Sequence, residues 1–177
     1  MKISYTSDGN EPVTLTEAKN WLRLDSDLSA DDTLIEMLIA DARIYCENYT
    51  NRFFTEGTAV YKVETANGKG ELLVPGKIGA TSSYTEKLPT SDTLQANATR
   101  LQPSADKESF VLKVGQTFDN VDYWIFTYEV LNESSDQIRK CILNLVAAEY
   151  DYRKDGKLMN RTKINAALDQ IRKSVFK

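Results

Sequence analysis

One run of residues constrains this chain more than any other. From Leu34 to Tyr49, the residues Leu34, Ile35, Leu38, Ile39, Ala42, Tyr45, Cys46 and Tyr49 recur at helical spacing. A long helix with one continuous apolar face must be covered by something. The only comparable pattern lies far along the chain, where Ile138, Cys141, Ile142, Leu145, Val146 and Tyr152 line one side of a helix starting near Ser134 or Ser135. The simplest cover for each stripe is the other, which makes Leu34, Ile35, Leu38, Ile39, Ala42, Tyr45, Cys46, Ile138, Cys141, Ile142, Leu145 and Val146 the candidate helical core. Tyr45 and Tyr49 sit at helical spacing and read as core aromatics rather than as a stacking platform.

Between these helices, over residues 58–131, the period shortens to two. AVYKVET alternates, NGKG reads as a turn and ELLVPG follows, together a hairpin. SFVLKVG is a further strand. DYWIFTYEVL is the strongest, with Trp124, Phe126, Tyr128 and Val130 on one face, and Trp124 joins the candidate core. The intervening GATSSYTEKLPTSDTLQANATRLQPSADKES is polar and reads as edge strands and loops. The fold class is therefore α+β: a mostly antiparallel helical core of about four helices with a β-hairpin or β-sheet lobe inserted between the second and third main helices. One domain spanning 1–177 is expected, made of N-terminal helices over 12–54, the β lobe over 55–133 and C-terminal helices over 134–177.

Helix ends are also marked. Thr14 and Glu17 have the spacing of a capping box, opening a helix to Leu22 whose inner stripe is Leu15, Ala18 and Leu22 with Trp21 beside it. The acidic connection RLDSDLSADD ends in Ser29, a suitable N-cap for the long helix, and Thr50, Asn51 and Arg52 close that helix. A last amphipathic helix after Thr162 carries Ile164, Ala167, Leu168, Ile171 and Val175 in a narrow seam suited to one neighbour.

The chemistry of most enzymes is missing. The chain contains no histidine, which removes the commonest general base and most zinc sites. Cys46 and Cys141 alone cannot complete a metal set, and GKGE and GKIG lack the spacing of a phosphate-binding loop. Asp25, Asp27, Asp31 and Asp32 lack the glycine and terminal glutamate of a calcium loop, so capping and solubility account for them. Two-carboxylate hydrolysis needs no histidine, but nothing singles out any pair among Glu64, Glu71 and Glu86. No catalytic residue, cofactor or metal is expected, and the chain reads as a structural protein rather than an enzyme. No apolar run is long enough to cross a membrane, and MKISYTSDGNEP lacks the layout of a signal peptide.

Charge is uneven. Residues 153–177 hold eight basic side chains against two acidic ones, a balance of +6, and the whole chain carries −4, which leaves −10 on the rest. Arg153, Lys154, Lys157, Arg161, Lys163, Arg172 and Lys173 are therefore candidates to face an acidic partner surface or a polyanion.

The segment VTLTEAKNWLRLDSDLSADDTLIEMLIADARIYCENYTNR resembles the opening of the head–tail connector (head-completion or adaptor) proteins of tailed bacteriophages. The matching positions include Leu15, Glu17, Ala18, Lys19, Leu22, Arg23, Asp25, Asp32, Leu34, Ile35, Ile39, Ala42, Tyr49, Thr50 and Arg52, with Asn51 where glycine is commoner. ILNLVAAEYDYR resembles the later helix of that family, ending in Tyr-x-x-Arg. The resemblance implies a structural protein of the virion neck, assembled in the host cytoplasm, that forms a homo-oligomeric ring under the portal, twelvefold when seated there. It also implies that the ring extends the DNA channel, passes double-stranded DNA without sequence specificity and offers a platform to a tail-side neck or tail-completion protein. The basic residues from Arg153 to Lys173 would then face portal or DNA, and no membrane is involved. Two rival readings remain from the residues alone. One is a regulatory DNA- or protein-binding module using the basic C-terminal helix, and the other is a carbohydrate-binding lobe presenting Tyr61, Tyr84, Tyr123 and Trp124.

Overall fold

The computed structural model describes residues 2–64, 71–87, 95–96, 101–107, 109–112, 122–155 and 161–172. The chain divides into two compact units, Met1–Gly9 with Thr55–Glu133, and Asn10–Phe54 with Ser134–Lys177. The architecture is α+β, with the sheet lobe set between the second and third helices.

The first unit holds strands β1 (Lys2–Ser7), β2 (Gly57–Glu64), β3 (Glu71–Leu73), β4 (Lys77–Lys87), β5 (Gln95–Ala96), β6 (Leu101–Pro103), β7 (Ser109–Leu112) and β8 (Tyr123–Leu131). They form a five-stranded sheet in the order β1-β2-β8-β4-β5 and a three-stranded sheet in the order β3-β7-β6. β8 is the middle strand, and its alternation is visible in its burial: Trp124, Phe126, Tyr128 and Val130 are buried. Phe110 of β7 stacks on Phe126 with ring centroids 4.8 Å apart and meets Tyr128 edge-on, so the small sheet closes over the aromatic face of the large one. The buried Tyr128 hydroxyl donates to the Pro75 carbonyl at 2.9 Å, which satisfies its polar end. Gly57 faces Ser7 across the β1–β2 ladder, where a Cβ would fall 2.2 Å from the Thr6 carbonyl oxygen. Only glycine admits that approach.

Two sequence expectations fail in this unit. AVYKVE and ELL do not form a hairpin: β2 pairs with β1 and β8, and β3 pairs with β7 in the other sheet. The expected turn at 67–70 lies outside the described residues. The polar run from Lys77 to Lys87 is not an edge strand but lies between β8 and β5, its register shifting between Ile78 and Ser82. The start of the chain, for which no element was expected, is strand β1. In each case pairing with a strand distant in sequence outweighs the local pattern.

The second unit holds helices α1 (Leu15–Leu22), α2 (Asp32–Thr50), α3 (Asp136–Asp155) and α4 (Thr162–Asp169). Its core is formed by α2 and α3, with Ile35, Ile39, Ala42 and Cys46 buried in one cluster with Ile138, Ile142, Leu145 and Val146. Leu34, Leu38 and Tyr45 pack against that cluster and are partly buried. Cys46 and Cys141 are free, buried thiols, and burial pushes the Cys46 thiol up to about 12. They act as small apolar groups. The Tyr150 hydroxyl, near the end of α3, donates to Asp31 at the start of α2, so the two helices run antiparallel. α4 lies beside the second half of α2 in the same direction, with Asn165 at Tyr45 and Asp169 at Tyr49.

The helix ends follow local chemistry with one exception. Thr14 Oγ1 accepts from the Glu17 amide and Glu17 Oε2 accepts from the Thr14 amide, a complete capping box. α2 closes on Asn51 in the left-handed region at φ 54°, a conformation asparagine tolerates in place of glycine. Its start differs from expectation, because Ser29 does not cap the helix with its side chain; its carbonyl accepts from the Asp32 amide, and Asp31 is the cap residue.

Truncating the centre of the α2–α3 contact should be costly where the outer face of α2 is not. Ile142→Ala is expected to lower unfolding free energy by about 2–5 kcal/mol in urea titrations. Met37→Ala, at a position 60% exposed, should stay within about 0.5 kcal/mol of wild type.

Candidate assembly surface

The helical unit fixes its connections with charged groups taken out of water. Lys19, only 5% exposed on α1, donates to the carbonyls of Ser26 at 2.9 Å and Leu28 at 2.7 Å and to Asp32 Oδ1 at 2.8 Å. All three ammonium donors are thereby used. The acidic connection between α1 and α2 is folded around this one cation, and that is why Asp32 and the loop carbonyls, rather than Ser29, organise the start of α2. The loop leaves Asp25, Asp27 and Leu28 facing solvent. Asp31 and Asp32 are each engaged by a partner from another helix, Tyr150 and Lys19, and among the described residues no acidic group forms a metal cluster.

A second, largely buried set lies further along α2. Arg43 donates through Nε to Glu11 at 2.8 Å and through Nη1 to Glu47 at 2.7 Å, and the other Glu47 oxygen accepts from the Phe54 amide at 2.9 Å. Desolvation raises the Glu47 pKa even though the Phe54 amide and Arg43 favour its charged form. The arrangement holds the start and the end of the 10–54 segment to the same helix.

Two of the basic candidates, though exposed, lie against tyrosine rings of α2. The Arg161 guanidinium lies over the Tyr45 ring, 4.7 Å from its centroid, and pairs with Glu149. Arg172 lies over Tyr49 at 5.3 Å. The tyrosine hydroxyls donate to Asn165 at 2.7 Å and to Asp169 at 2.9 Å, and Arg52 Nε donates to the Ile171 carbonyl at 2.7 Å. Tyr45 and Tyr49 thus form the seat on which α4 rests, their rings 6.2 Å apart. Lys163 is exposed; Arg153 and Lys154 lie in the last turn of α3, and Lys157 and Lys173 lie outside the described residues. In the lobe, Trp124 and Tyr61 are core residues and Lys62 lies over the Tyr123 ring at 3.8 Å, so these three do not form the open aromatic platform a sugar would need, while the Tyr84 side chain lies outside those described. Sequence reasoning missed the roles of Lys19, Arg43 and Glu47, since a charged residue at a helical position reads as solvated until its partners are known.

Two open grooves border α3. One of about 300 Å³ lies between α2 and α3 beneath Arg161, lined by Leu38, Ala42 and Leu145 with Asp41 and Glu149. The other, of about 360 Å³, lies between α3 and α4, lined by Cys141, Ile164 and Ala167 with Lys140, Lys163 and Asn144. Both are shallow troughs between helices, without a convergent set of titratable groups. No described helix is long and apolar enough to cross a membrane.

Comparison with known proteins agrees with this geometry. Residues 12–75 match the sequence family described as phage gp6-like head-tail connector protein. No curated protein matches the sequence significantly. Among solved structures, the chain is similar to one described as the neck of an empty GTA particle computed with C6 symmetry, with a TM-score of 0.76 at 14% identity over 97% of this chain and 95% of that one. It is similar to a chain of the virion of the native gene transfer agent particle, with a TM-score of 0.76 at 16% identity over the same shares of the two chains. A third, described as the neck of the native GTA particle computed with C12 symmetry, gives a TM-score of 0.67 at 14% identity, again over 97% and 95%. At these identities the likeness is one of fold.

Removing the buried cation should loosen the acidic loop. Lys19→Met is expected to lower unfolding free energy by about 2–3 kcal/mol, because the Ser26 and Leu28 carbonyls and Asp32 lose their donor, and to speed limited proteolysis within residues 23–31. A pH titration of stability tests the capping box. The Thr14 amide, then its hydroxyl and Arg139, hold the Glu17 carboxyl below its ordinary value against a smaller desolvation effect. Its contribution is therefore present above the unfolded-state carboxylate range and is lost as pH falls through the lowered pKa. Glu17→Gln should differ from wild type at neutral pH and converge with it in acid.

Proposed function

We propose that this chain, similar over residues 12–75 to the phage gp6-like head-tail connector proteins, is a structural subunit of the neck of a phage-like particle. It assembles with copies of itself as a ring under the portal, extends the DNA channel and offers the tail a platform. The observation that carries this reading is the likeness of fold over nearly the full length of both chains to a protein of a particle neck. The symmetry stated for the related necks supports a ring, and the same reading places the chain in the virion neck after assembly in the host cytoplasm. The fold suits the task. Buried ion pairs fix the connections of the helical unit, and an acidic body with a basic C-terminal segment gives two unlike surfaces, as a closed heterologous ring requires.

The basic residues from Arg153 to Lys173 face the portal or the DNA backbone in this reading, where phosphates are met without sequence readout. Arg161 and Arg172 take part from their stacked positions, and that placement speaks against the rival DNA-gripping module, which would need those guanidinium groups extended.

Negative-stain electron microscopy of the protein mixed with the portal ring encoded beside it tests the assignment. Added ring density at the tail-facing end of the portal is the expected result. Folded protein that leaves the portal unchanged, and shows salt-dependent binding to duplex DNA as a monomer, would instead support the regulatory reading.

A further inference from the structure

We infer that the α3–α4 groove receives the Asp25–Leu28 loop of a second copy of this chain, and that this pairing is the repeating contact between neighbours. The inference rests on the ring reading and deepens it by naming the surfaces that meet. The groove offers an apolar floor of Cys141, Ile164 and Ala167 between two exposed lysines, Lys140 on α3 and Lys163 on α4. Among the described residues neither lysine has a carboxylate within ion-pairing distance. An apolar trough with a cationic rim fits a ligand that carries an apolar knob beside acidic groups.

The Asp25–Leu28 loop has that form. Leu28 is 45% exposed, and Asp25 and Asp27 beside it are exposed as well, so the loop offers an apolar group together with two negative charges. The loop is held in place, because Lys19 grips the carbonyls of Ser26 and Leu28 from beneath. A buried cation that uses two of its three donors on the backbone of one loop presents that loop in a single conformation, which lowers the ordering cost of binding.

The loop cannot reach the groove of its own molecule. It adjoins the N-terminus of α2 at Asp32, whereas α4 runs beside Tyr45 to Arg52. Tyr150 of α3 meets Asp31 beside the loop and Lys140 lies ten residues earlier on α3, so at 1.5 Å per residue the two patches are separated by roughly 15 Å along the helix. Complementary patches at separate places on one molecule give a heterologous contact, which propagates head to tail and closes into a ring when the rotation per subunit allows. Lys163 thereby faces a neighbouring subunit rather than portal or DNA.

Reciprocal charge reversal tests the pairing. One full-length variant carries Asp25→Lys and Asp27→Lys, the other Lys140→Glu and Lys163→Glu, and each is assembled on the portal ring and counted by electron microscopy. Alone, each variant brings like charges together at every contact, and ring occupancy should fall at least about tenfold. Mixed in equal amounts, the two form an alternating ring in which every loop meets a groove of opposite charge, and occupancy should recover towards wild type. If each variant alone assembles as wild type does, the ring stands and this contact is overturned. If both lose assembly and the mixture does not recover, the contact is likewise overturned. If wild type adds no ring to the portal, the connector reading falls and this inference with it. Thermal melts of both variants within a few degrees of wild type establish that they are folded; a variant that melts early is replaced by its single change, Asp27→Lys or Lys163→Glu, under the same criteria.

Discussion

The packing of α2 against α3 is the constraint from which the rest of the helical unit follows. Neither helix would persist alone in water, and α1 and α4, of eight residues each, are well below the length at which an isolated helix is stable. Ile35, Ile39, Ala42 and Cys46 meet Ile138, Ile142, Leu145 and Val146 across a sequence gap that contains nearly all of the sheet unit. The core therefore forms only when two distant segments have come together, a non-local contact with an appreciable loop-closure cost. Once it exists, the short helices have a surface to dock on. α1 joins through Ala18 and through the Glu17–Arg139 ion pair, and α4 through Ile164, Leu168 and the tyrosine seat.

The apolar core takes in Val13 and Phe54 near the two ends of the N-terminal helical segment, and buried charge adds to their hold. Arg43 binds Glu11 and Glu47, and Glu47 binds the Phe54 amide, so one residue pair on α2 ties down both ends of the N-terminal helical segment. Burying a guanidinium and two carboxylates gains little net free energy over an apolar packing of equal size. What it adds is direction, since an Arg43 fork with two partners admits one placement of Glu11 and one of Phe54. Lys19 does the same for the acidic loop. The helical unit thus combines a non-directional core with two polar fixtures, and a subunit that must meet identical neighbours repeatedly needs its surface loops defined to that degree.

How far this was legible in the sequence depends on the range of each interaction. The α2 stripe, the α3 stripe from Ile138 to Val146, the Thr14–Glu17 capping box and the alternation of β8 are written in residues within a few positions of one another and appear in the structure where the spacing places them, whereas Tyr152, expected on the α3 stripe, is exposed and Tyr150 is buried in its stead. β1 was not legible, because KISYTS becomes a strand by pairing with Gly57–Lys62. The expected hairpin failed for the same reason, as ELL finds β7 rather than its sequence neighbour. The surface was harder still. The Leu-x-Glu-Ala-Lys start carried the family resemblance, yet nothing in its pattern says that Lys19 is buried, since the carbonyls it binds belong to a loop whose path is set only after folding.

The basic C-terminal segment shows most clearly why charge counted along a sequence differs from charge available to a partner. A balance of +6 over residues 153–177 suggests a surface waiting for an anion. In the folded unit Arg161 and Arg172 lie over tyrosine rings, and Arg161 also meets Glu149. A guanidinium stacked in this way keeps its charge but gives up the reach and the free donors that gripping a phosphate backbone demands. α4 is thereby better suited to display a fixed surface than to wrap an extended polyanion. Fixed surfaces of opposite character at separate places on one rigid unit are what repeated self-assembly can use, whereas a sequence-tolerant DNA grip would favour mobile, uncommitted cations.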